Sequence, residues 1–316
     1  MMLDGISAWR VQLPVDAKYF VLDSIDKQCL SMGRFVEELE LRLSELLGYK
    51  YVICMANGSI CQLALLIALL PAERSKPVFI PNRTWVCTPN ALEILHYPYR
   101  LFDCEPCSPV LMIDESFLQA IESHRPSAII VSYINGISPE NIDDLYDCAA
   151  TYGIPVLIDR CQSLTNLHHG HELASFYSMG ITKLLGIGQG GFIGTNDPIL
   201  AAKLKLIRTH GAFDPYWRTP IDTVGFNFRL TDLHAVIGLS VIPFLEERIK
   251  RISDIQQIYF NRLAPLKPQF LPVYSRDYSS PSIYNEFLAS RRDELIAYLN
   301  GYGIQARPLF PSIHAM

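Results

Sequence analysis

Residues 128–163 read AIIVSYINGISPENIDDLYDCAATYGIPVLIDRCQS. An apolar run of strand length (128–133) is followed by a helical stretch (141–152) and then by a second apolar run (154–158) that ends on Asp159. Strands that read as continuous apolar runs are buried on both faces, and a helix between two of them is the crossover of a parallel pair. The same alternation extends outward from this unit. Upstream, Phe35, Val36, Leu39, Leu43, Leu46 and Leu47 recur at helical spacing between glutamates, and Gly48 follows as a stop. Residues 51–55 form a short β-type run, Asn57-Gly58-Ser59 punctuates it, and 60–70 reads as a helix. Residues 77–80 and 100–102 read as strands around a helix at 85–95. Alternating apolar strands and helices predict an α/β fold with a parallel sheet covered on both faces.

Beyond residue 197 helices take over, first at 198–208 and then at 231–263, the second long enough to bridge two lobes. Pro265, Pro268 and Pro272 mark a junction. A helix at 291–300 and a strand at 304–307 suit a small α+β lobe after it. The expected division is a large domain, 1–245, with a helical segment at its N-terminus, and a linker helix with a small C-terminal domain, 246–316.

The 316 residues are enough for roughly two domains of about 150 each. A net charge of −5 gives no overall positive field to draw the chain to nucleic acid or anionic membranes, so neither is expected as a partner. The 49% hydrophobic and 19% charged fractions are those of a folded chain. The longest apolar run, 63–70, is far below the roughly 20 residues of a membrane span. The opening MMLDGISAWR lacks the basic and apolar regions of a signal peptide, and the cytoplasm is the expected compartment. Eight cysteines without a framework spacing read as reduced thiols. Cys104 and Cys107 form a C-x-x-C pair with no second pair to complete a metal knuckle, and His168, His169 and His171 have only Glu172 beside them, so no metal is expected.

Ligands of open parallel sheets gather at the carboxyl ends of strands, and three polar clusters fall there. Asn57-Gly58-Ser59 opens a helix, and reads either as a capping turn or as a cradle of backbone N–H groups and a hydroxyl for a phosphate. Asp159-Arg160-Cys161-Gln162-Ser163 follows a buried strand, where a carboxylate needs a cationic partner or water. The third, 178–183, sets Ser178 and Lys183 before a glycine-rich loop that precedes a strand, not a helix, and so is no dinucleotide fingerprint.

In this order the clusters resemble the DegT/DnrJ/EryC1/StrS group of pyridoxal-phosphate (PLP) sugar aminotransferases, within the fold-type-I aspartate aminotransferase superfamily. The resemblance runs from about Gly33 to Arg307: GRFVEELE at 33–40, NGS at 57–59, P-x-x-T-W-V at 81–86, D-x-x-Q-S at 159–163, S-x-x-x-T-K at 178–183, GxGG at 188–191, RTHG at 208–211, GFNFRLTDLHAVIGL at 225–239 and RDELIAYL at 292–299. It implies a mostly parallel seven-stranded sheet and a homodimer with shared active sites. It implies Lys183 as the lysine that bonds to the PLP aldehyde and shuttles a proton, with Asp159 facing the pyridine nitrogen. Gln162 would meet the ring 3-oxygen, Cys161 would lie against one ring face, and Trp85, otherwise plain core, would stack on the other. Gly58, Ser59, Ser178 and, from a second subunit, Asn227 would hold the phosphate. The implied reaction moves an amino group, from L-glutamate, to a nucleotide-linked keto-sugar in amino-sugar biosynthesis.

The sequence departs from the family pattern at Gln189, usually Glu, and at Gly180, usually polar or aromatic. Family members typically run several tens of residues past the position of Met316, which implies a reduced C-terminal lobe and sets up an alternative: a catalytically impaired PLP-fold protein with a binding or regulatory role. A family branch that dehydrates deoxysugars carries His where Lys183 stands here, so Lys183 favours transamination.

Overall fold

The computed structural model describes residues 13–164, 171–212, 223–266, 270–272 and 281–316. Seven of its strands are β1 (Tyr51–Met55), β2 (Val78–Pro81), β3 (Tyr99–Phe102), β4 (Ala128–Ser132), β5 (Val156–Asp159), β6 (Ala174–Ser178) and β7 (Gly191–Thr195). They form one sheet in the order β1-β7-β6-β5-β4-β2-β3, and only β7 runs against its neighbours. Successive residues of β4 explain why the strands read as unbroken apolar runs. Ala128 and Ile130 join one apolar cluster and Ile129 and Val131 another, on the opposite face.

Helices α1 (Ala17–Asp26), α2 (Arg34–Leu47), α3 (Gly58–Leu69), α4 (Cys87–Ile94), α5 (Glu115–His124), α6 (Ile142–Thr151) and α7 (Pro198–Arg208) supply the covering layers with α8 (Asp232–Val241). In α2, Phe35, Val36, Leu39, Leu43 and Leu47 form the buried stripe, and the helix stops where Gly48 takes φ 75°, a left-handed conformation that costs glycine little. In α7, Asp197 accepts the N–H groups of Ile199 and Leu200, and Pro198 sits in the first turn, where a missing N–H does no harm.

Two expectations are corrected. The helix expected over 231–263 is two, α8 and α9 (Leu245–Leu263), joined by a 3₁₀ turn at Ile242–Phe244. Pro243 has no N–H to give and its ring clashes with the preceding turn, so the α-helix breaks there. Among the described residues, 304–307 form no strand beyond a single bridge at Ile304. The side chain of Asn300 takes both backbone groups of Ala306, donating to its carbonyl (3.2 Å) and accepting from its N–H (3.0 Å), which removes them from any ladder. The small sheet is instead β8 (Phe270–Pro272) paired antiparallel with β9 (Phe287–Ala289), ahead of α10 (Arg292–Gly301). No described helix is long and apolar enough to cross a membrane.

Register positions the site. Ser132 lies opposite Asp159, so β4 and β5 end level. Antiparallel β7 begins between β1 and β6, with Gly191 opposite both Met55 and Ser178. The carboxyl ends of β1, β4, β5 and β6 therefore share one edge of the sheet.

Candidate active site

At that edge α3 leaves β1 through Asn57, whose Oδ1 accepts the N–H of Ile60 at 2.9 Å. The cap uses the third N–H of the helix and leaves the turn at Gly58 and Ser59 facing the strand ends, where a helix N-terminus favours an anion. The capping reading of this turn is thus observed, and the cap leaves its first two N–H groups unused by Asn57. A Cβ on Gly58 would lie 3.0 Å from Cys161 Sγ and 3.0 Å from Ser178 Cβ. One on Gly191 would fall 2.5 Å from the Asn57 carbonyl carbon and the Gly58 nitrogen. Glycine at both positions lets β5, β6 and β7 close on the turn.

Asp159 is the last residue of β5 and only 5% exposed. Its Oδ1 accepts the N–H of Cys161 at 2.9 Å. Burial holds its carboxyl above the usual carboxylate range, opposed by that hydrogen bond and by the Lys183 ammonium. A buried carboxylate so placed favours a further cation. Lys183 stands in the loop between β6 and β7, half-buried, in a turn closed by its N–H on the Gly180 carbonyl (2.9 Å). Ser178 Oγ accepts the N–H of Gly180 at 3.2 Å. The Cys161 thiol is pushed well up, first by burial and then by the charge of Asp159, and the same two causes push Cys87 up to about 12. Burial beside a carboxylate thus disfavours the thiolate at both cysteines.

Gln162, 8% exposed, accepts the backbone N–H of Asn135 on its Oε1 at 2.9 Å. Trp85 is 52% exposed and meets Phe310 edge-on, with ring centroids 5.6 Å apart. Beneath it, Thr84 Oγ1 bonds Ser132 Oγ at 2.7 Å and Thr88 Oγ1 at 3.2 Å, fixing the turn that presents the indole. Gly58, Ser178, Asp159, Cys161 and Lys183 are thus gathered at one edge, with Gln162 beside them. Asn227 is exposed, its Oδ1 accepting from Arg229 Nε at 2.8 Å, in a segment whose Phe228 carbonyl takes the N–H of Ala56 at 2.9 Å, beside the Asn57–Gly58 turn.

Other residues at the site carry no local sequence signal. The segment 282–286 crosses it: Ser282 Oγ donates to Asn135 Oδ1 (3.1 Å), Tyr284 OH bonds Thr182 Oγ1 (3.3 Å), and Glu286 takes Asn135 Nδ2 (2.5 Å) and Arg83 Nη2 (3.0 Å). A neighbouring cleft of about 450 Å³, bordered by Asn82, Cys104, Leu288 and His314, includes none of the residues expected to hold the cofactor. Among the described residues no group of three His, Cys, Asp or Glu is placed to hold a metal. Histidines 168 and 169 lie outside the described residues.

The sequence profile of the DegT/DnrJ/EryC1/StrS aminotransferase family matches residues 15–316. The chain belongs to that family. It is 27% identical to GDP-perosamine synthase of Caulobacter vibrioides over 326 aligned positions, 99% of this chain and 86% of that protein. Among solved structures it is similar to PseC of Helicobacter pylori, an aminotransferase of pseudoaminic acid biosynthesis, with TM-score 0.85 and 21% identity over 98% of this chain and 86% of the other. It is similar also to DesI, solved with its TDP-sugar product, with TM-score 0.83 and 22% identity over 100% of this chain and 82% of the other.

DegT/DnrJ/EryC1/StrS aminotransferases use pyridoxal 5′-phosphate, and the donor set here fits that group. An amine, a buried carboxylate in want of a cation, and a glycine-lined helix N-terminus match its aldehyde, ring nitrogen and phosphate.

Proposed function

We propose that this aminotransferase moves an amino group from L-glutamate to a keto-deoxysugar carried on a nucleotide, making an amino sugar for a polysaccharide or secondary metabolite. The observation that carries the reading is the placing of buried Asp159 and Lys183 beside the α3 N-terminus at one edge of the sheet. The synthase of GDP-perosamine and DesI, seen with its TDP-sugar product, support the acceptor class.

When bound, PLP supplies the electron sink that amino transfer needs. Asp159 holds a proton at the ring nitrogen. The Lys183 amine moves a proton between the substrate carbon and C4′ of the cofactor. Gly58, Ser59 and Ser178 bind the phosphate, and Cys161 and Trp85 shut the two ring faces from water. Asn227 of the partner subunit completes the phosphate site, which makes a homodimer the working unit, and its exposed side chain leaves it free to be shared. Residues 1–245 serve as the cofactor domain and 246–316 as linker and small domain, working in the cytoplasm, where the substrates are dissolved. The catalytically impaired alternative draws no support from these relatives.

The test is the visible spectrum of the purified dimer with PLP, before and after glutamate. A yellow protein bleached by glutamate, then restored by a nucleotide-linked keto-sugar, is the expected result. A colourless protein that PLP cannot reconstitute would sink the reading.

A further inference from the structure

Segment 282–286 meets the site with alternate side chains. Ser282, Tyr284 and Glu286 each bond a residue of the sheet edge, while Asn285 between them is exposed. The chain bends at Ile283 and Tyr284, where the Tyr284 N–H donates to Ser282 Oγ at 3.0 Å, and this bent segment carries the three side chains to the site.

Two of the three bonded residues act on Asn135, which is fully buried and sits just after β4 with φ 56° and ψ 23°. Asparagine enters that left-handed region more readily than other side-chain-bearing residues, and here its surroundings fix it there. Here both ends of the Asn135 carboxamide are held: Oδ1 by Ser282, Nδ2 by Glu286. Glu286 is itself fixed by Arg83, two residues from Trp85, with side chains 10% and 25% exposed. The Asn135 conformation in turn aims its backbone N–H at Gln162 Oε1. A glutamine carboxamide can present either end, and with Oε1 committed to Asn135 its other end, Nε2, is the one turned elsewhere.

We propose that Glu286 is a positioning residue: through Asn135 it sets the orientation of Gln162, so that seating of the 282–286 segment governs the hydrogen bond Gln162 gives the cofactor's 3-oxygen. The proposal rests on the reading that Gln162 faces that oxygen.

The test is the pH midpoint of the visible band of the PLP-loaded dimer, with PLP affinity measured alongside by absorbance titration. A donor to the 3-oxygen stabilises its anionic form, so losing it raises the midpoint. For one hydrogen bond the expected rise is about half to one pH unit. Glu286→Ala and Gln162→Ala should each raise it, and the double variant should rise no further than Gln162→Ala alone. Glu286→Gln, which keeps an acceptor for Asn135, should return the midpoint close to that of the parent. Should Glu286→Ala fail to fold, Asn135→Gly decides, because glycine adopts the left-handed backbone without strain yet loses the link, and its midpoint should rise likewise. A rise in Gln162→Ala with none in Glu286→Ala or Asn135→Gly overturns the proposal alone. A rise in none of them overturns the placing of Gln162 as well, and full additivity in the double variant also overturns the coupling.

Discussion

Asp159 and Arg160 are consecutive, both buried, both charged, and on opposite faces of the sheet edge. Arg160 is answered from within the chain. Its Nε donates to Ser175 Oγ (3.1 Å), its Nη2 lies 3.4 Å from Glu172 Oε1, and its guanidinium stacks over Tyr133 with 4.7 Å to the ring centroid. Tyr49 joins that cluster, its OH 3.4 Å from the same Glu172 oxygen and 3.0 Å from Tyr177 OH, and burial is the main cause that pushes its phenol up to about 12. Asp159 has one backbone N–H and the charge of a half-buried lysine, and its carboxyl is held high. A buried charge closed off by its own chain builds the fold, whereas one left under-compensated is set up for a ligand.

The largest effect expected falls on the ligand side. Lys183→Ala should abolish the visible band and amino transfer while leaving the melting temperature of the cofactor-free protein almost unchanged, as spectra, turnover and a thermal melt will show. Asp159→Asn should lose transfer by at least about a hundredfold without loss of stability. The sign follows from linkage. A carboxyl whose folded pKa is raised contributes stability below its unfolded pKa, and that contribution is lost as pH rises through the folded value. The cofactor-free Asn variant should therefore be the more stable at neutral pH, and the gap should close on acidification. A destabilised variant at pH 7 would contradict this.

Arg160 should behave in the opposite way. Arg160→Met removes the guanidinium beside buried Glu172 and should cost about 3–5 kcal/mol in denaturant unfolding, and adding Glu172→Gln should recover a good part of it. Two glycines of β7 sharpen the contrast at smaller scale. Gly191→Ala puts a methyl into the Asn57–Gly58 peptide and should weaken PLP binding at least about tenfold. Gly194→Ala puts one 2.3 Å from the Tyr49 ring and should cost roughly 1–3 kcal/mol of stability with PLP affinity little changed. Smallest is a difference in thiol reactivity. With iodoacetamide at pH 7, exposed Cys107 should be alkylated well before Cys87 and Cys161, read by peptide mass spectrometry.

Elements whose signals are local can be read from the order of residues alone. Apolar runs at β4 and β5, the stripe of α2 with Gly48 at its end, and Asp197-Pro198 opening α7 act within a few residues, so they are legible without the fold. Asp159 and Ser178 at strand ends and Gly58 at a helix start stand where the chain's own order puts them, whereas Lys183, Gln162, Trp85 and Asn227 lie in connecting segments and were singled out by the family resemblance. Not everything local is easily read. Helix α5 has an Asp114 cap on Phe117 N–H and buries Phe117 and Ile121, yet it is short and lies between loops. In β6 the buried Ser175 breaks the apolar run, because it serves Arg160 and not the apolar core. It took the tertiary structure to bring β7 in against its neighbours, to press Gly191 on the Asn57–Gly58 turn, and to bring Glu286 to Asn135 across 151 residues of chain. Those contacts join residues far apart in the sequence, and nothing within a few positions of either partner encodes them. They exist once strand order and register have brought their backbones together.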